Sequence, residues 1–120
     1  MTPKSNNPNH FLPLKPLDFQ VLTVLARREL HGYGIAQAAQ EQFPDQPPLE
    51  LGSLYRIISR MLDQKLIREV KPPATRPADR RVRRYYTISD LGLRVTRAEA
   101  ARMRSLLTAP ATLQLLETER

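Results

Sequence analysis

A mainly α-helical domain with one small β hairpin is predicted from three features of the sequence. Apolar residues recur at spacings of three and four in three short segments before residue 64. Two runs rich in β-forming residues, 66–70 and 85–88, flank a stretch full of proline and arginine. A long helical pattern then runs from about residue 90 to Leu107. Helix, helix, helix, strand, strand, helix is the order of a winged helix-turn-helix.

Each element has its own local reason. Residues 1–16 hold Pro3, Pro8, Pro13 and Pro16 and read as a flexible arm that Phe11, Leu12 and Leu14 could dock. Pro16 suits a first helical turn. Phe19, Leu22, Leu25 and Ala26 then repeat at helical spacing, with Val21 and Val24 widening the stripe. Gly32 and Gly34 interrupt the pattern, and a second helix is expected from Tyr33 to Phe43, with Ile35, Ala36, Ala39 and Phe43 inward. Pro47 and Pro48 forbid a helix through the next stretch. The third helix opens around Ser53, a suitable N-cap. Leu54, Ile57, Ile58, Met61 and Leu62 form its apolar face, opposite Arg56, Ser59, Arg60 and Asp63. In the second strand Tyr85 and Tyr86 should face opposite ways, one to the core and one to solvent or a ligand. Ser89 or Asp90 caps the last long helix, which Pro110 ends. The chain divides into the arm at 1–16, a winged-helix domain at 17–88 and a C-terminal segment at 89–120.

Composition narrows the function. Cysteine is absent, which excludes disulfides, thiol nucleophiles and cysteine-bound zinc. His10 and His31 are far apart, without a cluster of acids around them, so no metal site or other cofactor is expected. No nucleophile–base pair or phosphate-binding glycine loop points to an enzyme. The absence of a long apolar run argues against a membrane span, and a polar N-terminus argues against a signal peptide, so a cytoplasmic protein is expected.

The net charge is +7, and all of its excess lies in the second part of the chain. Residues 56–84 alone hold ten Lys or Arg against three acids. A basic third helix followed by a basic hairpin loop suits double-stranded DNA: a helix fits the major groove, and a wing meets backbone or minor groove. Ser53, Tyr55, Arg56, Ser59 and Arg60 would lie near the groove. Tyr55 reads either as a phosphate contact or as a half-buried packing residue, and Arg56 and Arg60 either as DNA contacts or as solvated charges.

Four fragments resemble the PadR family of bacterial transcription regulators. They are Leu30-His31-Gly32-Tyr33, Leu51-Gly52-Ser53-Leu54-Tyr55, the set Leu62, Leu66 and Ile67, and Arg84-Tyr85-Tyr86-Thr87-Ile88 with Gly92. The resemblance spans about residues 17–107. Where the family commonly has proline after the Leu-Tyr pair, this chain has Arg56, an added positive charge. The resemblance implies a repressor that binds a palindromic operator as a homodimer through a C-terminal dimerisation helix. With the basic residues, it sets the expected DNA contacts as Tyr33, Ser53, Leu54, Tyr55, Arg56, Ser59, Arg60, Arg80, Arg81, Arg83 and Arg84. Tyr33 reads equally as a packing aromatic. The expected dimer interface is Leu91, Val95, Ala98, Met103, Leu106 and Leu107. The family also suggests a small aromatic effector, although tryptophan, which lines one branch's drug pocket, is absent here. The alternative is a winged-helix adaptor whose basic face meets an acidic protein.

Overall fold

The computed structural model describes residues 7–72 and 83–117. Among these, five α-helices and three short strands follow one another. Helix α1 (Pro16–Arg27) starts on proline and has Asp18 in its first turn, where an acid suits the helix dipole. It buries Val21, Leu22, Val24 and Leu25 almost completely. Strand β1 (Leu30–His31) leads directly into α2 (Gly32–Gln42). His31 caps α2: its Nδ1 accepts from the Gly34 amide at 3.0 Å. The two glycines expected to interrupt the helical pattern therefore lie inside its first turn.

Helix α3 (Leu51–Asp63) begins two residues before the expected Ser53 cap. Glu50 holds the N-cap position without a side-chain hydrogen bond. The apolar arc forms as the periodicity predicts, with Leu54 and Met61 fully enclosed. Its end is a left-handed turn at Lys65, φ 63°. The Lys65 amide donates to the Leu62 carbonyl and the Leu66 amide to that of Met61, which satisfies the last helical acceptors.

Strands β2 (Ile67–Val70) and β3 (Tyr85–Ile88) form the antiparallel hairpin, with Ile67 opposite Ile88 and Val70 opposite Tyr85. β1 adds on the other side of β3, pairing Leu30 with Tyr86 and His31 with Tyr85. β3 is thus the central strand. This corrects the expectation that one of the two tyrosines meets solvent or a ligand, since both are 4% exposed. Tyr86 joins the main core. Tyr85 is covered from the other side by His31, whose ring meets it edge-on at 5.2 Å.

Helix α4 (Asp90–Thr108) is capped by Ser89, whose Oγ accepts from the Gly92 amide at 3.0 Å. Pro110 ends α4, as expected, and opens α5 (Pro110–Glu117). Leu91 and Val95 pack into the chain's own core at 9% and 0% exposure. This corrects their assignment to a dimer interface: the first half of α4 is already used against α1.

The described part of the arm is seated rather than loose. A 3-10 turn at Pro8–Phe11 lies on α4, and Phe11, Leu12 and Leu14 pack against the core. Glu99 is the anchor. Its carboxylate is buried, accepts from the Leu14 amide at 2.9 Å and pairs with Arg102. The Arg102 hydrogen bond holds the Glu99 carboxyl below its usual range, helped by the Leu14 amide and opposed by burial. A depressed pKa means that the folded protein binds fewer protons than the unfolded chain. Its contribution is present above the usual carboxylate range and is lost as the pH falls through the folded value. Thermal melts should therefore show stability declining below about pH 5, and Glu99→Gln should flatten that decline while lowering the melting temperature at neutral pH.

Candidate nucleic-acid interface

The apolar arc of α3 leaves the opposite arc outward. Gly52, Tyr55, Arg56 and Ser59 are all exposed on it, and Leu51 stands at its edge at 44%. Tyr55 is 51% exposed, which is compatible with either reading of it. The Arg56 guanidinium makes one loose contact, donating to Ser53 Oγ at 3.3 Å. Little reorganisation would be needed for it to meet a phosphate or a base edge.

Leu54, expected among the DNA contacts, is 0% exposed. This is a correction with a plain cause: it lies on the same helical arc as Ile57, Ile58 and Met61 and completes the core. Arg60 lies at the boundary of the two arcs. Its Nη2 donates to Asp18 Oδ1 at 2.8 Å, joining α3 to the first turn of α1. Asp18 is nearly buried, so Arg60 supplies the charge that this carboxylate needs. Arg60 is therefore a structural tie first, with its side chain 41% exposed beside the outward arc.

The start of α2 and the base of the wing border the same face. Tyr33 is 54% exposed and lies parallel to the His31 ring at 6.5 Å. Arg83 approaches His31 Nε2 at 3.0 Å, while Arg84 is exposed. Between these groups and Tyr55 opens a cleft of about 590 Å³, floored by Gly32 and Tyr86. Burial, reinforced by Glu69, raises the Tyr86 phenol above its ordinary pKa. The structure thus brings together Tyr33, Tyr55, Arg83 and Arg84, with Arg56 and Ser59 continuing the face along α3. Arg80 and Arg81 lie outside the described residues.

Three contributors were missed in the sequence. His31 caps α2, Gly32 floors the cleft and Leu51 forms its rim. A histidine three residues before a helical amide was the available signal for the cap. Nothing local marked Leu51 as an exposed leucine. Among the described residues no group of histidines and acids could hold a metal ion, and no helix is long and apolar enough to cross a membrane.

Three helices, a hairpin wing and an outward basic third helix define a winged helix-turn-helix. The profile of the PadR-like transcriptional regulator family matches residues 21–98, well over half of the chain, and the protein belongs to that family. Solved structures agree on the fold. A PadR-like regulator of Bacillus cereus shares 24% identity at a TM-score of 0.67, over 87% of this chain and 93% of that one. A PadR family regulator of Clostridium difficile shares 22% at 0.69, over 85% and 99%. Bacillus subtilis PadR, solved in complex with operator DNA, shares 20% at 0.60, over 72% of this chain and 47% of that one. A search of curated protein sequences finds no match.

Proposed function

We propose that this protein represses transcription by binding a palindromic duplex operator as a homodimer. The observation that carries the proposal is the outward arc of α3, where Tyr55 and Arg56 stand exposed beside Tyr33 and Arg84. Hydroxyls and amides at helix starts hold phosphates, and arginine reads guanine edges. In a two-fold dimer, two such helices would enter successive major grooves about 34 Å apart, with the wings on the flanking backbone.

The test is a fluorescence anisotropy titration with a duplex from the region upstream of the protein's own gene. Binding should exceed that to a scrambled duplex, and it should weaken steeply with salt as condensed counterions are released. Equal binding to both duplexes would sink the proposal.

The homodimer part rests on a second surface. Leu106 and Leu107 at the end of α4, with Leu113, Leu115 and Leu116 on α5, are between 42% and 72% exposed. So many large aliphatic groups on adjoining helices suit a second copy of the chain better than water. Leu106 and Leu107 were among the expected interface residues; Ala98 and Met103, earlier on α4, are half-buried. Leu106→Glu combined with Leu115→Glu should give a folded monomer by light scattering, with operator affinity reduced about a hundredfold because one half-site no longer helps the other.

A further inference from the structure

We infer that Gly32 is a positioning residue for operator binding, acting by setting where the Tyr55 side chain lies. This rests on the DNA-binding reading above and adds a residue to it.

The backbone does not ask for glycine at this position. No glycine among the described residues has a positive φ, and Gly32 is the first residue of a regular helix. What demands it is Tyr55, reaching over from α3. A Cβ built on Gly32 would fall 2.6 Å from Tyr55 Oη and 2.9 Å from Cε1 and Cζ. The phenol therefore rests directly on the start of α2, where only a residue without a side chain leaves room.

Which partner would yield to a methyl group follows from how each is held. Gly32 is fixed on both sides. His31 before it is paired with Tyr85 in the sheet, and the His31 side chain holds the Gly34 amide after it. Tyr55 is half exposed, and the three threatened atoms are the far end of a rotatable side chain. Alanine at 32 would thus push the phenol away by roughly an ångström and leave the backbone in place. The displaced group is the hydroxyl that stands at the positive end of α2, where a DNA phosphate gains from both the hydroxyl and the helix dipole.

The experiment is a double-mutant cycle on operator affinity, using the upstream duplex and wild type, Gly32→Ala, Tyr55→Ala and the double variant, each also melted thermally. Gly32→Ala should weaken binding about tenfold with its melting temperature nearly unchanged, and it should cost nothing further once Tyr55 is alanine. Undiminished binding by Gly32→Ala would overturn the inference and leave the DNA-binding reading standing. An equal loss in the Tyr55→Ala background, or a steep fall in melting temperature, would overturn it too, because the damage would then be to the helix start. A wild-type protein that binds upstream and scrambled duplexes alike would overturn both readings.

Discussion

Gly92→Ala is expected to destabilise the fold by about 3 kcal/mol, at the upper end of the usual cost of overpacking. Gly92 lies in the first turn of α4, where the helix crosses the loop that leads into β2. A Cβ there would fall 2.0 Å from the Leu66 carbonyl oxygen and 2.8 Å from the Ile88 side chain. The obstacle is backbone, so no rotamer change relieves it. The same carbonyl accepts from both the Ser89 amide and the Ser89 hydroxyl, at 3.0 and 2.9 Å. Moving it would disturb the cap of α4 as well as the approach to β2. A fall of roughly 10 °C or more in melting temperature is expected, read by circular dichroism. An unchanged melting temperature would mean that α4 does not pack this tightly.

The second large effect concerns affinity. Tyr55→Ala combined with Arg56→Ala should weaken operator binding by about 3 kcal/mol, close to a hundredfold, since each removes a contact worth about 1–2 kcal/mol. Arg56 is exposed, while Tyr55 gives up its packing on Gly32, so stability should fall by no more than about 1–2 kcal/mol. Arg56 separates two modes of contact. If it meets phosphate, Arg56→Ala lowers the salt slope by about one; if it meets a base edge, sequence preference relaxes instead. Arg60→Ala provides the contrast. It strands the Asp18 carboxylate, so it should lower stability while affecting affinity less than Arg56→Ala. The comparison needs only binding isotherms and melts on three proteins, and equal affinity losses at 56 and 60 would contradict the division of roles.

Much of this was legible in the chain itself. The boundaries of α1, β3 and α4 fall within a residue or two of what periodicity, Pro16, Ser89 and Pro110 predict. These signals are local: an apolar stripe at three and four, or a side chain that satisfies an amide three residues on. The outward arc of α3 was legible for the same reason, because a helix with one buried face must expose the other. Leu54 shows the limit from inside that rule. A motif placed it among the contacts, while its own helical phase placed it in the core, and phase prevailed.

Sequence alone therefore determined the order of the first four helices and the two hairpin strands, the buried stripes of α1 and α3 and the position of the basic charge. Tertiary structure alone decided that Arg60 turns to Asp18, 42 residues away, that a two-residue strand at Leu30–His31 buries Tyr85, and that α4 spends its first half on its own core. It also decided that Tyr55 rests on Gly32. Periodicity records how a residue sits on its own helix or strand. It carries no record of which distant residue comes to lie against it, and these outcomes all depend on such a meeting.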